Sequence, residues 1–309
     1  MQSIDMSTVK IKMGKSQNRK NRKNKENLVG YIFILPVFLG ILFFIAYPLV
    51  YSFISTFKSW NGLIPLGDAP FVKFEMYKRV LGDRAFWDSL LTTIITLIGI
   101  PIGMFLSMGL AILLNRGLKG THTFRVIFYL PAIVSITAIV ILWRGMLAVD
   151  GPLNAVIGIF GINPKNWLGE PTYARIALIG MLVWKGLGVS TLLYIAGLQG
   201  ISDSYTEAAK LDGANGFQIF WKITFPLLKP THFFMVVTGV INGMQLYIEP
   251  DLLLNGGPAN STRTVLIYLF QRFDQRLISQ ASVVAWVLAL IVFIATALQF
   301  YVNSRSERP

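Results

Sequence analysis

The chain contains no cysteine. A disulfide framework, a thiolate metal site and a cysteine nucleophile are all excluded, and thiol usage carries no information on redox compartment. Histidine is nearly as scarce. His122 and His232 are the only two, and neither has another ligand at metal-binding spacing, so both are expected alone at the ends of membrane spans. Charge is sparse as well: 14% of residues are charged against 54% hydrophobic, with a mean hydropathy of +0.58. That is too apolar for a soluble domain of 309 residues and indicates an integral membrane protein. No Gly-x-Ser-x-Gly or paired-carboxylate pattern stands out, and short loops leave little room for a soluble catalytic domain, so an enzyme is not expected.

What charge there is sits unevenly. The net charge is +13, much of it in the tail carrying Lys10, Lys12, Lys15, Arg19, Lys20, Arg22, Lys23 and Lys25. A basic tail directly before an apolar span is what the positive-inside rule expects of a cytosolic N-terminus, so nucleic acid is not an expected partner. A specific anionic-lipid site is the competing reading. The tail also holds Gly14-Lys15-Ser16, the end of a phosphate-binding loop, but Val9 stands where the first glycine is required. No other such loop occurs. If ATP drives this protein, another chain must bind it.

About 20 apolar residues cross a bilayer. On that measure six spans are expected, over about 28–51, 89–114, 126–148, 175–198, 232–249 and 280–302. The first is too long for a cleaved signal peptide and reads as an uncleaved span. The domains follow: a basic, largely disordered tail over 1–27, a membrane domain over 28–303, and a short C-terminal tail over 304–309, both tails cytosolic. The loop with Arg116, Lys119 and Arg125 and the end with Arg305 and Arg308 agree with that topology. Pro36, Pro48, Pro101 and Pro131 fall within or beside spans, where they break or kink a helix unless neighbours re-satisfy the freed carbonyls.

The most informative stretch is polar and lies between the fourth and fifth spans, over 203–230. Ser204 followed by Glu207 has capping-box spacing, which starts a helix near Tyr205. Ala208, Ala209 and Leu211 continue it. Gly213-Ala214-Asn215-Gly216 then ends it with residues that tolerate positive φ. A second helix follows with Phe217, Phe220, Trp221 and Phe225 as an aromatic stripe, and Pro226 and Pro230 stop it. Taken alone, this pattern equally fits a cap and interfacial aromatics.

The full spacing goes further. Glu207-Ala208-Ala209, three residues, Gly213, nine residues, Ile223, one residue, then Phe225-Pro226 resembles the EAA motif of binding-protein-dependent ABC importer permeases. The family pattern ends Ile-x-Leu-Pro, and here Phe225 replaces the leucine. Leu252-Leu253-Leu254-Asn255-Gly256-Gly257-Pro258-Ala259-Asn260-Ser261-Thr262 is similar to the outer loop before the last span in the sugar-type branch. The resemblance covers essentially the whole chain. It implies an all-α polytopic membrane protein with the type I ABC importer permease fold, in a bacterial cytoplasmic membrane. It also implies that the segment is a coupling helix for a cytosolic ATPase, with Glu207, Ala208, Ala209, Asp212, Gly213, Ile223 and Pro226 as coupling residues. Implied partners are a second permease subunit, two ATPase subunits that bind ATP and magnesium, an extracellular solute-binding protein, membrane lipid and a saccharide; this chain itself binds no cofactor and no metal.

The solute pathway is read from the fifth span. Thr238, Asn242, Gln245 and Glu249 are spaced four, three and four apart, which puts them on one helical face. Polar groups avoid lipid, so the stripe faces a watery cavity or another helix. A saccharide matches amides and a carboxylate, whereas an interhelical hydrogen-bond seam is the competing reading. Arg144 and Lys185 are the other charges within spans, and pairing with Glu249 or Asp251 is conceivable. Two functional rivals stand beside the importer: a transporter driven by an ion gradient, which leaves the Glu207 segment unexplained, and a receptor or assembly factor that docks a partner without transport. A permease for glycerol phosphate or another small polar solute is the variant within the family.

Overall fold

A computed structural model of the chain describes residues 30–115 and 128–305. The basic tail, the loop with Arg116, Lys119, His122 and Arg125, and Arg308 lie outside the described residues. Among the described residues the regular structure is helical, apart from one antiparallel bridge between Lys58 and Phe71. The chain divides into two compact units after Ser55.

The first unit contributes one long helix, α1 (Gly30–Ser55). Its bonding changes over Leu42–Ala46, where the turn widens and Tyr47 donates to Leu42 O, five residues back. Pro48 follows immediately and has no N–H for the usual carbonyl four residues earlier. The wider turn carries the helix across it without a break.

The second unit begins with α2 (Glu75–Leu81), followed by α3 (Arg84–Thr96) and α4 (Gly99–Asn115). The last two make one span, Arg84–Asn115, interrupted at Leu97 and Ile98. Pro101 explains the interruption, since it cannot donate to Leu97 O. Ile100 takes that carbonyl instead at 2.9 Å, in a tighter turn. Next come α5 (Ile136–Met146), α6 (Pro152–Ile159) and α7 (Pro171–Gln199). After them lie α8 (Asp203–Leu211) and α9 (Gly216–Leu227), then α10 (Lys229–Met244) at 60° to α9. The chain closes with α11 (Ile248–Leu254), α12 (Val265–Asp274) and α13 (Ile278–Arg305).

Four of these helices are long and apolar enough to cross a membrane: α1, α3 with α4, α7 and α13. The bent pair α9 and α10 makes a fifth. The remaining expected span, 126–148, differs from expectation. Its described part is broken at Val134 and Ser135, where Ser135 caps α5 by accepting from Ala138 N. Pro131 lies just before this break, and only the eleven-residue α5 remains as a continuous apolar helix.

Three apolar clusters hold the second unit together. One joins α2, α3, α12 and α13 through Val80, Phe86, Tyr268 and Val283. A second joins α4, α7 and the α9–α10 bend through Ala111, Tyr194, Leu228 and Met235. The third joins α5, α7 and α11 through Val140, Met181 and Leu253. Polar contacts add precision at the head of α3. Asp83 accepts from Tyr268 OH at 2.7 Å, from Ala85 N at 2.9 Å and from Arg272. Burial alone raises its pKa, but these three donors outweigh burial and lower it. Tyr268 is pushed up to about 12, mainly by burial and then by its bond to Asp83.

Candidate coupling segment and membrane cavity

The 203–230 segment is built from local signals. Ser202, not Ser204, is the cap of α8: its Oγ accepts from Ser204 N at 3.4 Å. The expected Ser204–Glu207 capping box therefore does not form. Once the helix starts at Asp203, Ser204 is inside the first turn with helical geometry and cannot act as a cap. Glu207 instead projects from the middle of the helix and is exposed, as are Ala208 and Asp212, while Ala209 is buried.

The end of α8 is a Schellman turn. Ala214 N donates to Ala209 O at 2.9 Å and Gly213 N to Lys210 O at 3.0 Å, with Gly213 at φ +79°. A Cβ on Gly213 would meet nothing within 4 Å, so backbone conformation rather than space calls for glycine here. The capping box that does form lies one turn later. Asn215 Oδ1 accepts from Gln218 N and Gln218 Oε1 accepts from Asn215 N, both at 2.9 Å, starting α9. Leu211 and Phe217 stand on either side of the turn, 89% and 73% exposed.

The aromatic stripe packs on itself. Phe220 and Trp221 meet at 5.0 Å and Trp221 and Phe225 at 5.2 Å between ring centroids. Ile223 is half-buried inside a second wide turn, Phe220–Thr224. It ends two residues before the exposed Pro226, the same relation that Leu42–Ala46 has to Pro48. Pro226 does not stop the helix, then; the wide turn lets α9 pass it, and the chain bends at Leu228 instead. Pro230 lies in the first turn of α10, where a missing N–H costs nothing.

Beyond the bend, a cavity of about 770 Å³ opens between α3, α4, α7, α10, α11 and α12. Thr238, Asn242, Gln245 and Glu249 all line it. They do not share one continuous helix, because α10 ends at Met244 and Glu249 belongs to α11. Thr238 is satisfied within its own helix by donating to Phe234 O at 2.7 Å. Asn242 and Gln245 are exposed, and their amides offer donors and acceptors to the cavity. Glu249 Oε1 lies 2.5 Å from Lys185 Nζ of α7. This pair is partly wet, with side chains 34% exposed for Lys185 and 15% for Glu249. Lys185 and Glu249 are also the only cation and anion among the residues lining the cavity, so the described lining is electrically balanced.

Among the described residues Arg144 pairs with no carboxylate. It donates to Leu252 O at 2.6 Å and Leu253 O at 3.1 Å, closing the carbonyl end of α11. His232, expected alone, lies half-buried between Tyr194 OH at 2.7 Å and Phe225 O at 3.2 Å.

Sequence reasoning missed one packing element although its signal was present. Gly239 and Gly243 form a G-x-x-x-G pair on α10 against the interruption between α3 and α4. A Cβ on Gly239 would lie 3.2 Å from Ile100, and one on Gly243 only 2.4 Å from Leu97 Cδ2. This close approach forms one wall of the cavity.

Residues 99–308 match the family described as binding-protein-dependent transport system inner membrane component. The chain belongs to that family. Relatives of the permease span nearly all of it. The probable ABC transporter permease protein YesP of Bacillus subtilis is 37% identical, covering 91% of this chain and 92% of its own length. The lactose transport system permease protein LacF of Rhizobium radiobacter is 33% identical over 88% and 93% of the two chains. The trehalose/maltose transport system permease protein MalF of Thermococcus litoralis is 33% identical over 86% and 91%. In fold, the permease matches a chain from the crystal structure of a bacterial ABC transporter importing the acidic polysaccharide alginate, with TM-score 0.81 and 21% identity, covering 94% of this chain and all of that one. The likeness in fold agrees with the all-α architecture expected from the sequence.

Proposed function

We propose that the chain is a transmembrane subunit of an ATP-driven importer that carries a saccharide, specifically an oligosaccharide, into the cell by alternating access. The observation that carries this reading is continuity. The exposed turn at Glu207 and Gly213, the bend at Leu228 and the cavity residues Thr238 and Asn242 succeed one another along a single stretch of chain. A push on the exposed turn thus reaches the cavity through two helices and one bend. In this reading Glu207, Ala208, Ala209, Asp212, Gly213, Ile223 and Pro226 form the face or frame of a coupling element seated in a cytosolic ATPase. Two such ATPases bind and hydrolyse ATP with magnesium, a second permease completes the pathway, and a solute-binding protein delivers cargo on the opposite side. The termini and the Glu207 turn then face the cytosol of a bacterial cell, with the spans in its cytoplasmic membrane.

Kinship with the lactose and trehalose/maltose permease proteins supports a saccharide. So does the lining: amides and hydroxyls on mostly apolar walls suit a hydroxyl-rich solute, and the volume falls in the usual range for ligand pockets, roughly 300–1,000 Å³. A glycerol phosphate is the poorer fit, because Glu249 already neutralises the cavity's lysine. The test is uptake of labelled maltose- and lactose-type oligosaccharides by vesicles holding the full complex. Uptake should require both ATP and the binding protein; uptake that instead follows an ion gradient without ATP overturns the reading.

A further inference from the structure

The bend between α9 and α10 is a mechanical problem for any lever. At Leu228 the two helices meet at 60°, and a single connecting residue is too soft to pass a rotation from one to the other. Something must brace the joint.

His232 spans it. Its Nε2 lies 3.2 Å from Phe225 O on the α9 side, and its Nδ1 lies 2.7 Å from Tyr194 OH on α7. A carbonyl only accepts, so Nε2 carries the hydrogen and donates. In the neutral ring Nδ1 is then bare and accepts from the tyrosine hydroxyl. One tautomer satisfies every partner. The Phe225 ring also lies against the imidazole, with centroids 4.6 Å apart, and Tyr194 is 0% exposed. A second contact stands one turn along α7, where a Cβ on Gly197 would lie 2.6 Å from Thr231 Oγ1 and 2.9 Å from Leu228 Cδ2. The hydrogen-bonded part of the joint therefore ties the end of α9 and the start of α10 to α7, on a bend that α4 also packs against through Ala111 and Leu114. Both α7 and α10 run on into the cavity, α7 with Lys185 and Ser190 and α10 with Thr238 and Asn242. Lys185 lies nine residues from Tyr194, about 13 Å along the helix.

We infer that His232 is a positioning residue for transport: it locks the Glu207 segment to α7 and α10, so that displacement of the segment moves both cavity walls together. This rests on the reading of that segment as a coupling element. Without His232 the bend would flex, and ATP hydrolysis would proceed while the cavity stayed still.

The absence of cysteine makes the test direct. In the full complex reconstituted in vesicles, Ser190→Cys supplies one thiol in this subunit, on the cavity wall. Its labelling by a polar maleimide is timed with and without ATP and vanadate, which trap the closed ATPases. The parent is expected to change labelling rate about tenfold on trapping. His232→Ala should trap the same amount of vanadate, yet change by less than about twofold. His232→Gln, whose amide can donate near the Nε2 position, should restore most of the response. Tyr194→Phe keeps the ring, loses the hydroxyl and should fall between.

A merely structural role would lower assembly and trapping together, which separates the two explanations. A His232→Ala complex that traps vanadate and keeps the parent's response overturns the inference. If that variant fails to assemble, Tyr194→Phe decides: an undiminished response overturns the inference and a reduced one with full trapping supports it. A parent that traps vanadate with no change in labelling overturns the coupling reading itself, and this inference with it.

Discussion

The Glu207 segment and the cavity are made in opposite ways. The segment's turn, caps and wide helical turn all use partners within six residues of one another. The cavity joins parts far apart in the chain: Lys185 to Glu249 and Gly243 to Leu97. An exposed turn of this kind holds its shape from local bonds alone. A cavity inside the bundle depends on how helices pack. Damage to the cavity should accordingly reach the stability of the whole second unit, whereas damage to the segment should stay local.

The largest effect is expected at Gly243. Leucine there drives a branched side chain into Leu97 Cδ2, which already lies 2.4 Å from an added Cβ, and overpacking of this kind costs about 2–3 kcal/mol. Thermal unfolding of the purified complex should register that loss. Adding Leu97→Ala should recover part of it, since the two residues share one space. A fully additive double variant would mean that the walls are not coupled as described.

The ion pair comes next. Glu249→Gln leaves Lys185 without its anion in a partly wet site, so the cost is about 1–2 kcal/mol rather than that of a fully buried pair. Lys185→Met with Glu249→Gln should be milder than either change alone. The same single variant gives the cavity a net positive charge, so competition by anionic oligosaccharides in the uptake assay should increase over that seen with the parent.

The contrast also explains what was readable beforehand. Periodicity and length located most of the spans, because an apolar helix in lipid announces itself residue by residue. The Gly213 turn was readable because only a few residue types accept positive φ. The cap was misplaced by two residues because Ser202 and Ser204 are both competent caps, and only packing decides between them. Lys185 with Glu249 is one of the pairings the pattern left open, and His232 with Tyr194 lies beyond it; each joins helices whose register is set by tertiary packing, so spacing alone does not single either out. The break after Met244 was hidden for the same reason: the stripe from Thr238 to Glu249 has helical spacing, yet the backbone leaves the helix at Gln245.

A smaller effect is expected at Asp83, which holds Tyr268 and Arg272 of α12, a helix that contributes Leu266 and Phe270 to the cavity. Its pKa is lowered in the folded protein, so the stabilisation is present above the unfolded carboxyl pKa of about 3.9 and is lost as pH falls through the folded value. Acid should therefore loosen the cavity side before the Glu207 segment, as hydrogen exchange compared above and below that carboxyl pKa of about 3.9 would register. Asp83→Asn should cost about 1 kcal/mol at neutral pH and flatten that dependence. Equal acid sensitivity in the two regions would erase the distinction between them.

The smallest stability effect, and the sharpest test of the comparison, belongs to Gly213. At φ +79° alanine is strained by about 1 kcal/mol, although a Cβ would touch nothing within 4 Å. Asparagine tolerates this conformation far better. Gly213→Ala should therefore speed amide exchange at Ala214, whose N–H closes the turn on Ala209 O, while Gly213→Asn leaves it nearly unchanged. The melting temperature of the complex should move little in either. Transport adds the discriminating arm. If uptake follows the exchange data, with alanine impaired and asparagine near the parent, the turn acts through its backbone shape. If both variants lose uptake equally, the added side chain meets the partner, and the open space around Gly213 is where an ATPase sits. In either case the melting temperature should stay near the parent's while uptake falls, because a Cβ added at Gly213 meets nothing within 4 Å among the described residues.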